Sequence, residues 1–480
     1  MDDKSSAGDA THLDRVPIGD LNLSDGENVD RESLSHQHKR LLRQVDRRLL
    51  PLCAFLYLLN YLDRSNIGNA KLLNFETGDS MEQKVGMSAT DFSLTLSLFA
   101  VAYCVFEIPS NWFLKRYARP SYWLGALLLC WGSLTLGFSG VKNLPTVIVL
   151  RFLIGVFEAG FFPGMVYLIT FWYRKEERSV RIAFITATAT LAGAFGGCIA
   201  YGAGFLNRKG GLEGFRWLFI IEGAVTVLIT PVVFFYLPDY PWTARWLTPS
   251  VRRFAVERLE EQDGGFSRDS ATRNEILATL CSPRMVAHYS AYFTNSIVMS
   301  SLTYFSPTIV QGLGYTSVQA QLMTVPPWAV GYVVSMGLAW SADHFNARGL
   351  HVFASGILAG VGFLVSSLLA ADSYRERYGC LILISCGAFP SAAPLTAWVT
   401  CNVPSRRTIG LATAMNNSTV GIASIVALWI WRPSEVTQGY PTGNIVCAVS
   451  GFSTSILALG LYLFYRRQNR KSTDGQVFAL

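Results

Sequence analysis

Twelve apolar stretches recur along this chain, each about twenty residues long, and no other feature narrows the fold so far. Crossing roughly 30 Å of hydrocarbon takes ~20 helical residues. Stretches of that length lie near 49–70, 91–113, 122–140, 145–172, 182–206 and 216–237, and again near 286–310, 319–341, 350–370, 379–400, 409–431 and 445–465. Inside a bilayer the backbone has no water to bond to, so long continuous apolar runs predict helices that satisfy their own N–H and C=O groups. Composition agrees: 51% of residues are hydrophobic and 15% charged, against about 25% charged in a typical soluble domain. The expectation is an all-α integral membrane protein with twelve transmembrane helices in two six-helix bundles.

The polar interval Pro238 to Arg284 divides the runs evenly. This predicts an N-terminal tail (1–47), a first bundle (48–238), a central loop (239–284), a second bundle (285–466) and a C-terminal tail (467–480). Residues 1 to about 38 mix charge with Gly and Ser and hold few apolar side chains, so they read as a disordered tail. No apolar segment of a cleavable signal opens the chain, which leaves the first helix to act as its own insertion signal. With the N-terminus cytosolic, the cytosolic loops and the segment after the last helix collect fourteen Lys and Arg, and the opposite loops eight. The positive-inside rule favours that orientation, with both termini cytosolic. The net charge of +7 is spread over many loops and makes no single basic face, so no nucleic-acid partner is expected; the lipid bilayer is. The nine cysteines show no metal-ligand spacing. No metal, no cofactor beyond a proton gradient and no enzymatic constellation is expected, and a monomer is.

Two even halves about a cytosolic loop are the plan of transporters that rock around a site near the bilayer midplane. The charges inside the spans should mark that site, since each costs roughly 2.5–3.5 kcal/mol at mid-bilayer. On the first helix Asn60, Asp63 and Arg64 fall in one polar sector, and Tyr57, Tyr61, Arg64 and Gly68 follow one stripe. Arg64 can meet a carboxylate with its two-pronged guanidinium, and the tyrosines can cover an apolar ligand body. Asp63 and Arg64 could equally neutralise one another. On the fourth span Arg151 and Glu158 are two turns apart on one face, with Gly155 between them; they could also serve as helix-packing partners. A buried carboxylate tends to its neutral form unless a cation stands near it, so its protonation can follow the conformation. Glu107, near the cytosolic end of the second helix, reads as a gate residue. In the second half charge nearly vanishes from the spans. Asn295, Asn416 and Asn417 are its candidate ligand contacts, with helix-to-helix hydrogen bonding as the alternative role.

Several stretches, in order and correctly spaced, resemble a known family. They are Leu62-Asp-Arg-Ser-Asn-Ile-Gly-Asn-Ala-Lys71, Glu107-Ile-Pro-Ser-Asn111, Arg151-Phe-Leu-Ile-Gly-Val-Phe-Glu-Ala-Gly-Phe-Phe-Pro-Gly164, Gly214-Phe-Arg-Trp-Leu-Phe-Ile-Ile-Glu-Gly223 and Pro307-Thr-Ile-Val-Gln-Gly-Leu-Gly-Tyr-Thr-Ser317. The chain resembles the major facilitator superfamily, and within it the anion:cation symporters of the fungal allantoate-permease branch, which carry nicotinate, pantothenate, biotin or allantoate. The resemblance implies proton-coupled import of a small organic monocarboxylate through the plasma membrane. Asp63 and Glu158 would carry protons, with Arg151 in the same coupling set, and Arg64 would anchor the anion. It also implies a gating loop in the second half that keeps Asp343 and Arg348, with His344 where Arg is commoner. A carrier of neutral solutes such as sugars, or a nutrient receptor without net flux, is the alternative reading.

Overall fold

The computed structural model describes residues 26–263, 272–405, 408–471 and 478–479. The described residues are all helix and loop. The chain up to Arg47 and the chain from Arg48 form separate compact units. In the first, every described residue is helical, from Gly26 onward, whereas disorder is the expectation to about residue 38. The reason is local: from Glu27 to Arg47 there is no Gly or Pro, and Arg, Leu, Gln and Glu, all good helix formers, recur.

The second unit holds the twelve spans. Helix α1 (Gly26–Leu72) supplies the first. After a short helix α2 (Met81–Val85) come α3 (Ala89–Tyr117), α4 (Pro120–Gly137), the pair α5 (Leu144–Glu158) and α6 (Phe161–Thr170), α7 (Lys175–Gly204) and α8 (Gly214–Tyr236). The central interval folds as two amphipathic helices, α9 (Pro249–Asp263) and α10 (Arg273–Cys281). The second half follows with α11 (Pro283–Gln311), the pair α12 (Ser317–Met323) and α13 (Val325–His344), α14 (Arg348–Leu368), the pair α15 (Tyr374–Ala388) and α16 (Ala392–Cys401), α17 (Ile409–Ile430) and α18 (Pro441–Lys471). Among the described residues, ten spans are long and apolar enough to cross a membrane by length and composition alone. The other two, the latter part of α1 and α11, have the length but carry the polar side chains of the candidate site.

Three spans expected to be continuous are broken. The fourth breaks at Ala159–Gly160, where Pro163 lacks the N–H that would bond the Ala159 carbonyl and crowds that carbonyl with its ring. The tenth breaks in the same way at Phe389–Ser391, with Pro394 standing to Pro390 as Pro163 stands to Ala159. The eighth breaks at Thr324, just ahead of Pro326 and Pro327. Proline thus interrupts the hydrogen-bond ladder at matching places in the fourth and tenth spans, one per half, while Ala159, Gly160, Phe389 and Ser391 keep right-handed helical dihedrals.

The two halves meet toward one face. With twelve spans, residue 48 and the end of α18 share a face, here the terminal face, and the other is the far face. Among the described residues the closest contacts between halves lie toward the far face. Glu76 binds the Ser317 backbone N–H and hydroxyl, Ser93 Oγ donates to the Leu428 carbonyl at 3.0 Å, and Trp429 Nε1 donates to Ser97 Oγ at 3.1 Å. A Cβ on Gly193 of α7 would fall inside the Trp328 ring, and one on Gly68 would stand 2.7 Å from the Tyr304 carbonyl oxygen. The small residues of α7 thus let the halves close on each other at that end.

On the far face a loop is tied down by Asp79. Its carboxylate is buried, which favours the neutral form, but Arg208 Nε at 2.7 Å, Asn207 Nδ2 at 2.9 Å and Lys84 Nζ at 3.0 Å hold it well below the usual carboxylate range. A depressed pKa in the fold contributes stability above the unfolded value, about 3.9, that is lost as pH falls toward the folded one. Thermal unfolding in detergent should therefore show the wild type losing stability below about pH 4 more steeply than Asp79→Asn, which should be the less stable protein at pH 6. Parallel pH curves for the two proteins would contradict this assignment.

Candidate functional site

Neighbouring residues on a helix point about 100° apart, so Asp63 and Arg64 face different helices. They do not pair with one another. Arg64 turns to the break in the fourth span, where Glu158 is the last residue of α5. Its Nη2 and Nε stand 3.2 and 3.4 Å from Glu158 Oε2. The Glu158 side chain is fully buried and that of Arg64 is 13% exposed. Tyr103, Tyr61 and Phe99 surround the guanidinium, with ring centroids 4.8, 5.2 and 5.5 Å away. Aromatic faces attract a cation and hold it against water. Tyr57 packs on Tyr61 and on Phe162 of α6 at about 5 Å between ring centroids, so the aromatic stripe read from the sequence lines this corner.

Asp63 turns the other way, into the first half. Its Oδ2 accepts from Trp131 Nε1 of α4 and Thr226 Oγ1 of α8, both at 3.0 Å. One turn on, Asn66 Nδ2 donates to Glu222 of α8. Arg151 is 1% exposed. It makes no ion pair with Glu158 within 4 Å; instead its guanidinium lies over Phe138 at 5.3 Å and Phe99 at 6.0 Å, with Glu158, Asp63 and Tyr304 as electrostatic neighbours. Its Nε and Nη1 have no hydrogen-bond partner. Asn60 is buried and close to Glu158, although neither Asn60 Nδ2 nor Glu158 Oε1 makes a hydrogen bond of normal geometry.

The model of the Major Facilitator Superfamily matches residues 53–428. The chain belongs to the major facilitator superfamily. It is 46% identical over 446 residues to the MFS transporter prlL of Fungal sp. (strain NRRL 50135), covering 92% of this chain and 90% of that one. It is 32% identical over 442 residues to the MFS-type transporter efuF of Hormonema carpetanum, covering 90% and 86%. Among solved structures it is similar to an inward-facing bacterial homologue of the human lysosomal transporter Spinster, with a TM-score of 0.65 at 15% identity over 88% of this chain and 97% of that one. That likeness speaks for the fold. The chain is a multi-pass membrane transporter of this superfamily.

The other candidates fall in three groups. Glu107 is buried on α3 and faces Asn417 of α17, on the other half. Asn416 is buried beside it, with its Oδ1 unpartnered. Asn295 Oδ1 accepts from Ser391 Oγ at 2.7 Å, which fastens the seventh span to the tenth, while its Nδ2 bonds Met299 Sδ on its own helix. Arg348 reaches Cys401 Sγ, and the side chain of Asp343 lies outside the described residues. Sequence reasoning missed Glu222, Asn66, Trp131 and Thr226 as parts of the charged core. Glu222 was legible by the rule that singled out Asp63, as a carboxylate in an otherwise apolar run. The partners of Asp63 depend on which way α1 is rotated, and no spacing along the chain gives that rotation.

Gly155 decides how close α3 comes to the ion pair. A Cβ there would stand 2.6 Å from the Phe99 carbonyl oxygen and 3.1 Å from Ala102 Cβ. Gly155→Val should push α3 away, cost about 1–3 kcal/mol and lower both the melting temperature in detergent and the affinity for ligand. Gly202→Ala, where nothing lies within 4 Å, should change neither. Equal effects from the two substitutions would contradict the packing argument.

Proposed function

We propose that this protein is a symporter that imports a small organic monocarboxylate together with protons by alternating access. The observation that carries the reading is the buried pair of Arg64 with Glu158. One guanidinium fork cannot hold two carboxylates at full strength, so a substrate anion at Arg64 competes with Glu158. Glu158, fully buried and stripped of its counterion, would cost several kcal/mol as an anion. Taking up a proton relieves that cost, so anion binding and proton binding at this corner are linked. Release runs in reverse: the proton leaves Glu158, Glu158 recaptures Arg64, and the substrate is expelled. An uncharged solute would give Arg64 no reason to leave Glu158, which sets this reading above the sugar-carrier alternative.

Arg64 is the anion anchor, Asn60 a second donor, and Tyr57 and Tyr61 cover the apolar body of the ligand. Glu158 carries the coupled proton, and Asp63 and Arg151 set the charge around it. Glu107, facing Asn417 from the other half with Asn416 next along α17, belongs to the gate, as Arg348 and Asp343 do near the terminal face. The contacts gathered at the far face support a conformation sealed on that side. The resemblance in sequence further supports a vitamin or nitrogen-source acid such as nicotinate, pantothenate, biotin or allantoate as substrate. It supports the plasma membrane as location, with both termini cytosolic and a monomer as the working unit.

Uptake of labelled carboxylates into proteoliposomes tests this. Accumulation should follow an inward proton gradient. Glu158→Gln should abolish accumulation but keep exchange of labelled for unlabelled substrate, and Arg64→Ala should lose both. Uptake indifferent to the gradient, or full accumulation in Glu158→Gln, would overturn the proposal.

A further inference from the structure

The first half buries one more acid than this coupling scheme uses. Asp63 and Asn66, one turn apart on α1, meet Thr226 and Glu222, one turn apart on α8, so the two helices are joined by a matched pair of contacts. The three ligand-capable side chains of this seam are deeply buried: Asp63 is 3%, Asn66 0% and Glu222 2% exposed. Each also has one oxygen without a hydrogen-bond partner, namely Asp63 Oδ1, Asn66 Oδ1 and Glu222 Oε1.

If both acids were ionised, all three oxygens would be acceptors, because carboxylates and amide oxygens donate nothing. Acceptors cannot satisfy one another, and buried polar atoms are rarely left so. Charge points the same way. Arg64 is engaged by Glu158, and Arg151 has Glu158, Asp63 and Tyr304 rather than Glu222 as electrostatic neighbours. The one titratable group acting on Glu222 among the described residues is Asp63, itself an acid, and no charged side chain of α4 or α7, which also pack on α8, acts on it. Asp63 in turn faces Glu158 and Arg151. Four buried acids, Asp63, Glu107, Glu158 and Glu222, thus share two guanidinium groups, and neither guanidinium acts on Glu222.

We infer that Glu222 is a proton-binding site: in this conformation it is a neutral carboxylic acid whose O–H donates to an orphaned oxygen beside it, on Asp63 or Asn66. The single proton turns Glu222 Oε1 into a donor, gives one of the other two orphaned oxygens a partner and removes the uncompensated charge of Glu222. Asp63 and Glu222 then form a second proton store on the inner side of α1, separate from Glu158. A proton that moves from Glu222 Oε1 to Asp63 Oδ1 breaks one O–H bond, forms another and carries the negative charge from Asp63 to Glu222. The role of this store in transport rests on the proton-coupled reading above; the protonation of Glu222 does not.

Infrared spectroscopy of the purified full-length protein in choline chloride tests the inference without measuring transport. The difference spectrum between wild type and Glu222→Gln at pH 7 should show the C=O stretch of a protonated carboxyl group, lost in the variant. A difference containing only carboxylate stretches would overturn it. So would a band that disappears when sodium chloride replaces choline chloride, which marks a cation site. If Glu222→Gln fails to fold, the Glu107→Gln/Glu158→Gln variant must still show the band, and its absence there overturns the inference. Uptake that ignores a proton gradient while the band is present would sink the symport reading and leave Glu222 protonated.

Discussion

A guanidinium and a carboxylate held together inside a lipid-embedded bundle set the terms for this protein. In hydrocarbon neither ion is tolerable alone, and together they remain expensive unless every remaining polar atom is accommodated. The Arg64–Glu158 pair meets that condition in part. Aromatic rings wrap the guanidinium, and the carboxylate lies in full burial at the end of a helix that stops just beyond it. What is left over is an oxygen on Glu158 and the amide nitrogen of its neighbour Asn60, neither in a hydrogen bond of normal geometry. The pair is a structural bond between α1 and α5, and the proposed function makes it the coupling element as well.

The helix breaks follow from the same constraint. Irregular backbone at membrane depth is tolerated only where it is buried in protein or lines a polar cavity. In this chain the breaks of the fourth and tenth spans fall where Glu158 and Asn295 need room. Proline enforces both, and in the tenth span a hydrogen bond from Ser391 to Asn295 secures the break. The second half repeats the backbone device of the first without repeating its charges. That asymmetry keeps the buried charges in the first half, which on the proposed reading is the half that carries the protons.

Much of the fold was legible in the sequence. The spans and the expensive residues within them are set by local hydrophobicity, which a one-dimensional reading measures well. Arg64, Glu158 and Tyr57, which the structure brings to one corner, stand out in the sequence because their cost or their periodicity is local too. What could not be read was partnership. Asp63 and Arg64 are adjacent in sequence yet serve opposite sides of α1, and Arg151 shares a helix with Glu158 but not an ion pair. Partnership depends on helix rotation, which long-range packing of small residues such as Gly155 and Gly193 decides. The helix from Gly26 to Arg47 was missed for another reason: its polarity resembles that of a disordered tail, while its helix propensity, the competing signal, is favourable throughout.

The central claim is that an anion cannot occupy Arg64 unless Glu158 gains a proton. Calorimetric titration of the purified protein with a transported carboxylate, in buffers of differing ionisation enthalpy, measures that linkage at the site itself. The account predicts an apparent enthalpy that varies with the buffer, with a slope of about one proton taken up per anion bound near neutral pH and no such slope in Glu158→Gln. A binding enthalpy that is the same in every buffer, or a slope that survives the substitution, would contradict it.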